Sequence, residues 1–530
     1  MLKVRFSLPS QTSVFGLQST CICVALFLTI NLLGQRCAAE DVDVRESVVK
    51  IETTVFLPEL IEPWNPGVPK KRSATGVIIE GNRILTSGYI VGNARTITVQ
   101  GFQSAKKVTA KVISLSKGQD LAVLSVDDKE FFEGRPALPF CDELPAVKDK
   151  VNAFGYPLGG TEVSVTEGIV SRIEFNEYYM SARGLRIQID AALNKGNGGG
   201  PAVKDGKMVG TVFSRMTEAD NIGYLIPIEE IRMFLNDIKD GSYDGKLVLP
   251  GDIQTQRLEN EAIRKKLGLD NETGGVMIYE VAPNKNKPER DKRDTSTLQA
   301  WDVITKIDGK VIDREGNIPL GEGNRVSLKY LIQKHTDNDT VPMTLLRDGK
   351  EIEANIKLRR GGVKLARDLE YEPTPYMIVG PMVFMPVTSE LAFAMASTKS
   401  KWIGTFNRCQ NPALLQGLSP RTEDNEDLEL VITGHSFLPH PITKGYSDPR
   451  FGVIKKFNDV EIKNLKHLVE LMRDNKEEYF IFEYAGASYE TCVFDREEFL
   501  AATEEVLDDN GIRRQGTPEL LKVWNEKPSE

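Results

Sequence analysis

Residues 41 to about 245 carry short apolar runs separated by turn residues, a spacing that leaves room for little but β-structure. The runs fall at 47–55, 74–79, 83–87, 96–100, 107–114, 121–126, 150–154, 163–173, 185–190, 207–213 and 222–226. Strands this short bury their apolar faces as a barrel or a sandwich. At 228–238 the apolar spacing becomes helical, with Pro227 at the entry. The pattern predicts an all-β domain closed by one helix.

One loop in this region stands apart. It reads Asp190-Ala-Ala-Leu-Asn194-Lys195-Gly196-Asn197-Gly198-Gly199-Gly200-Pro201. Glycines let a backbone approach another chain closely and turn N–H groups outward. A site for acyl transfer uses such a loop to hold an oxyanion. The stretch resembles the nucleophile loop of the HtrA/Deg serine proteases, Asn-Pro-Gly-Asn-Ser-Gly-Gly-Pro. Gly198 stands where that family has serine, and Lys195 where it has proline.

Further segments carry the resemblance in the same order. Thr75-Gly-Val-Ile78 and Ile84-Leu-Thr86 are similar to the strands before the family's histidine. Asp120-Leu-Ala-Val123 is similar to the segment with its aspartate. Phe154-Gly-Tyr-Pro-Leu-Gly159, Gly168-Ile-Val-Ser171 and Asn221-Ile-Gly-Tyr-Leu-Ile-Pro227 follow. The resemblance implies a trypsin-like double β-barrel over 40–245.

Transferred residue by residue, it places Asp120 at the aspartate of the triad, Tyr89 at the histidine and Gly198 at the serine. Gly196, Asn197 and Gly198 fall on the oxyanion-hole positions. A general base must accept a proton near neutral pH; an imidazole with a pKa of about 6.5 does so, and a phenol near 10 does not. The chain has four histidines, His335, His435, His440 and His467, all beyond this domain. Asp120 therefore has no imidazole to orient, and its plain role is a buried acceptor for the Tyr89 hydroxyl or a backbone N–H. Ser87, Ser171, Ser214 and Lys195 are the alternative nucleophile or base positions, and Lys195 reads as a solvated loop cation. The glycine loop either keeps an oxyanion hole that binds without cutting or only turns the chain. The missing side chain at 198 points to the second.

Beyond a hinge at 241–251 the sequence repeats itself. Asp302-Val-Ile-Thr-Lys-Ile-Asp-Gly-Lys-Val-Ile-Asp313 with a helical 326–333 parallels Gly452-Val-Ile-Lys-Lys-Phe-Asn-Asp-Val-Glu-Ile462 with a helical 465–472. Each copy continues in β-runs, at 341–346 and 351–358, and at 479–484 and 489–494. This resembles two PDZ domains, at 246–362 and 363–500, and the layout resembles the plant Deg-type proteases. A charged insertion (284–294) interrupts the first, and 501–530 reads as a charged tail, helical and then frayed. The fold class is thus mainly β: a trypsin-like double barrel followed by two PDZ-like α+β domains. PDZ domains capture a peptide terminus on a glycine-bearing loop. The matching residues are Gly251, Asp252 and Ile253, and the Asp252 carboxylate would repel a peptide carboxylate.

The first 39 residues differ from the rest. Lys3 and Arg5 precede an apolar run at 21–34, and Cys37-Ala-Ala39 precedes Glu40. This reads as a signal peptide cleaved near Ala39, exporting the chain to a periplasm or the medium. The three cysteines left after it, Cys141, Cys409 and Cys492, make no disulfide framework and no metal-ligand spacing, so no metal or cofactor is expected. The net charge of -9 argues against nucleic acid as a partner. No stretch beyond the leader is long and apolar enough to span a bilayer. The expected partners are polypeptides, with self-assembly or co-assembly with an active relative as a further expectation. Loss of both histidine and serine makes a binding pseudoprotease the coherent reading. An active endopeptidase with displaced residues and a non-catalytic scaffold are the alternatives.

Overall fold

The computed structural model describes residues 43–526, apart from 58, 178–182, 216–221, 250–252, 282–297, 322, 336–339, 361–365, 367, 397–426 and 487–488. The leader, the charged insertion and the loop residues Gly251 and Asp252 lie outside the described residues. Arg45–Glu530 forms one unit.

Strands β1 (Val48–Phe56), β2 (Pro69–Ile79), β3 (Arg83–Ser87), β4 (Ala94–Gly101), β5 (Lys107–Ser116) and β6 (Leu121–Val126) close a barrel in the order β1-β2-β3-β6-β5-β4. The alternation that suggested strands is what fills it. In β1, Val49, Ile51, Thr53 and Val55 are buried while Lys50, Glu52 and Thr54 are only partly so. Val49, Ile51, Ile78, Ile84, Val99 and Leu124 meet in one core. Burying one such side chain is worth about 1.5–3 kcal/mol.

The second barrel joins β7 (Lys150–Gly155), β8 (Ser164–Glu177), β9 (Arg183–Ile189), β10 (Pro201–Lys204), β11 (Lys207–Arg215) and β12 (Gly223–Pro227), in the order β10-β11-β12-β9-β8-β7. β10 has no counterpart among the runs read from the sequence. It is four residues long and opens on a proline at the end of the glycine loop. Between the barrels' strands, α1 (Gly88–Val91) is a single turn carrying Tyr89, and α2 (Ile228–Asp237) follows β12.

The middle unit has Ile253–Arg257, Val276–Val281, Val303–Ile307, Thr340–Arg347 and Lys350–Lys357 in one sheet. Its core is continuous with that of the second barrel: Val276, Ile278 and Ile304 belong to the same cluster of buried residues as Val209 and Leu225. The helix expected from 326 starts at Lys329, because Asn324–Ser327 pairs with Asn317–Leu320 as a hairpin.

In the C-terminal unit the strands Ile454–Phe457 and Val460–Glu461 turn on Asn458 and Asp459, both at positive φ (43° and 63°). The middle unit turns at the same place on Asp308 and Gly309 (48° and 70°). The helix Leu465–Asp474 follows as the periodicity predicts. The stretch expected as a charged tail, helical and then frayed, is helical as expected, but it is packed. Arg496–Asp509 and Pro518–Asn525 are helices whose Phe499, Val506, Leu520 and Val523 are buried in this unit. Their apolar residues are spaced among many acidic ones, so the stripe is narrow in a charged segment.

Candidate functional site

The glycine loop is held by backbone and by one side chain of β2. Thr75 N–H donates to Gly198 O (3.1 Å), and its hydroxyl donates to Gly196 O (2.8 Å). Tyr156 N–H donates to the same hydroxyl (2.8 Å), and the Thr86 hydroxyl donates to Thr75 O (2.8 Å). The loop thus joins both barrels at a buried threonine. Gly199 stands at φ +80°, where a Cβ would come within 2.4 Å of Thr75 O. Only glycine suits that position.

Gly198 is different. Its φ lies outside the left-handed region, and the three atoms nearest to a Cβ built there are the Tyr89 hydroxyl oxygen (3.3 Å), Tyr89 Cε1 (3.7 Å) and Ser87 Oγ (3.8 Å). The backbone at 198 still accepts a side chain. The turn is ordered by Thr75 rather than by a side chain at 198. Asn197 N–H donates to Asn194 O (3.1 Å), Gly199 N–H to Val212 O (2.8 Å) and Gly200 N–H to Asn197 O (3.0 Å). The N–H groups of Gly196 and Gly198 donate to no acceptor among the described residues. The Asn197 side chain is buried, and neither of its amide atoms has a hydrogen-bond partner among the described residues.

Tyr89 and Asp120 face this loop from the first barrel. Tyr89 N–H donates to Asp120 Oδ1 at 2.7 Å. The acceptor role read for Asp120 is served by this backbone N–H, while the hydroxyl reaches toward Gly198 instead. Arg72 donates to Tyr89 O, and its guanidinium carbon lies 5.9 Å from the Tyr89 ring centroid. Burial, and then the charge of Asp120, raise the Tyr89 phenol above its ordinary pKa. It is no general base at neutral pH.

Asp120 is buried and holds a left-handed φ of 56°. Burial raises its pKa to about 7, against the opposing pull of the Tyr89 N–H and the Arg186 charge. Ser87 Oγ is buried nearby; it is close enough to Asp120 to lower that pKa a little, yet it makes no hydrogen bond of good geometry. Lys195 is exposed, as a solvated loop cation should be. Ile253 opens an edge strand of the middle sheet, paired with Val281.

The sequence reading missed the charged cluster behind Asp120. Arg186 is fully buried, its guanidinium carbon 4.6 Å from the Phe213 ring centroid. Glu230, also fully buried, accepts the Leu185 N–H (2.7 Å) and pairs with Lys246 (2.5 Å). Burial works to raise the Glu230 pKa, but the Lys246 and Arg186 charges hold it below its ordinary value. The Glu230 carboxylate thus faces two buried cations, Lys246 and Arg186, beside Asp120. A signal was present: Arg186 interrupts the apolar run Leu185-Arg-Ile-Gln-Ile189.

Comparison with known proteins agrees with this geometry. Residues 74–210 match the family model of the trypsin-like peptidase domain, and 367–519 that of the PDZ domain. The chain is 32% identical over 431 residues to putative protease Do-like 3, mitochondrial, of Arabidopsis thaliana, covering 81% of this chain and 72% of that one. It is 30% identical over 491 residues to protease Do-like 2, chloroplastic, of the same plant, covering 91% and 77%. A solved structure titled HtrA-type protease AlgW with tripeptide is 22% identical, covers 59% of this chain and 94% of its own, and superposes with a TM-score of 0.45. With two closed barrels meeting at the glycine loop and relatives that run through both ends of this architecture, the chain belongs to the HtrA/Deg family of Do-like proteases.

Proposed function

We propose that this chain is a pseudoprotease, an HtrA/Deg frame that binds polypeptides without cutting them. The observation that carries the reading is the pairing of Tyr89 with Gly198. The hydroxyl of a non-basic side chain lies beside the Cα where the family's nucleophile would project. Two triad members are replaced, and what an oxyanion hole alone contributes is far below a working triad. Polypeptide binding falls to the C-terminal unit, which matches the PDZ family, and to the middle unit. Assembly with copies of itself or with an active relative is part of the same reading.

The test is proteolysis of casein by the purified mature chain beside a Tyr89→His/Gly198→Ser variant. The expected result is a silent wild type and a cutting double variant. A wild type that cuts, and is labelled by a serine-directed probe, overturns the reading and leaves the displaced-nucleophile alternative.

We also propose that the leader exports the chain. Mass spectrometry of the native protein should find an N-terminus near Glu40 in an exported fraction. The names of the relatives carry mitochondrial and chloroplastic addresses, so recovery of the processed chain from an organelle would overturn export.

A further inference from the structure

The chain leading into the C-terminal unit grips the two short elements that carry Tyr89 and Asp120. Glu390, in the first turn of the helix Ser389–Ala396, accepts the Leu369 N–H with both oxygens (3.2 and 3.3 Å). The same carboxylate pairs with Lys117, and their side chains are only 13% and 10% exposed. Glu370 Oε2 accepts the Lys117 N–H at 3.3 Å. Lys117 opens the turn that ends at Asp120, whose N–H donates to Lys117 O (3.2 Å).

Tyr371 completes the grip. A Cβ on Gly92 would stand 2.3, 2.5 and 2.6 Å from Cδ1, Cγ and Cε1 of the Tyr371 ring, so the ring packs on the bare Gly92 backbone. Gly92 caps α1, donating to Gly88 O at 2.9 Å. Lys117 Nζ lies 6.0 Å from the Tyr371 ring centroid. Glu370 and Tyr371 both hold left-handed φ angles, 45° and 70°. Two successive non-glycine residues there are strained, and such strain persists where surrounding contacts over-determine it. The C-terminal unit also holds the loop between β1 and β2: Trp64 meets Tyr376 and His435 edge-on, with centroids 6.0 and 5.7 Å apart.

We infer that residues 369–371 are a clamp through which docking of the C-terminal unit sets the positions of Tyr89 and Asp120. One strap holds the cap of α1 and the 117–120 turn at once, and Glu390 ties it to the helix behind. Release of this unit loosens both elements together. The inference does not depend on whether the site cuts.

Hydrogen–deuterium exchange on the full mature chain tests it, comparing wild type with Tyr371→Ala and Gly92→Ala. Gly92 has φ -58° and ψ 131°, which alanine adopts without strain, so Gly92→Ala adds no backbone strain and its closest clash is with the Tyr371 ring. In both variants, amides at 88–92 and 117–121 should exchange at least about tenfold faster while those of β10 to β12 stay at wild-type rates. If Tyr371→Ala does not fold, Gly92→Ala gives the same reading with every native side chain present. Unchanged exchange at the two segments, or an equal rise across the whole chain, overturns the clamp.

Discussion

The hydroxyl of Tyr89 lies 3.3 Å from the point where a Cβ on Gly198 would stand. The residues at 89 and 198 are therefore complementary: the large one at 89 reaches toward the space that a side chain at 198 would enter. Thr75 orders the loop between the barrels.

Substitutions in the glycine loop should separate by position. Gly198→Ala needs Tyr89 to move by only a few tenths of an ångström and should change stability by less than about 1 kcal/mol. Gly199→Ala forces a side chain into a left-handed backbone against Thr75 O and should cost at least about 1–3 kcal/mol. Denaturant unfolding of the two variants checks the contrast.

Thr75→Val keeps the shape of the side chain and removes its hydroxyl. Gly196 O loses its donor and Tyr156 N–H its acceptor, both buried. The cost should be about 2–4 kcal/mol, since each unmet buried group costs about 1–3. A midpoint unchanged in urea would refute the role given to this hydroxyl.

Stability should fall as pH rises from about 4 to about 7, through Asp120. The folded carboxyl keeps its proton to about pH 7, while an unfolded one releases it near 3.8. Between these values the folded state binds more protons, so raising the pH favours unfolding. Asp120→Asn should flatten this slope, because asparagine keeps the oxygen facing Tyr89 N–H and tolerates the φ of 56°. Unfolding midpoints measured across the window for both proteins give the comparison.

Breaking the buried pair of Glu230 and Lys246 from one side should be severe. Lys246→Met leaves Glu230 buried with one charge fewer to balance it, a loss of about 3–5 kcal/mol. Adding Glu230→Gln should recover part of that loss. If the double variant is as unstable as the sum of the two singles, the pair is not coupled.

Most strands of the two barrels, the fold class and the family were legible in the residues alone. Alternation is a local property, so β3 and β6 fall on the residues where it was read. The absence of histidine before His335 establishes from sequence alone that the barrels hold no imidazole of their own. Tertiary structure decided the rest. The strand Pro201–Lys204 exists because β7 and β11 lie on either side of it. Arg186 is tolerable in an apolar strand because Glu230, 44 positions on, supplies an opposing charge. The clamp joins Lys117 to Glu390 across 273 positions. Such contacts depend on where the fold brings distant segments together, and no local period records them.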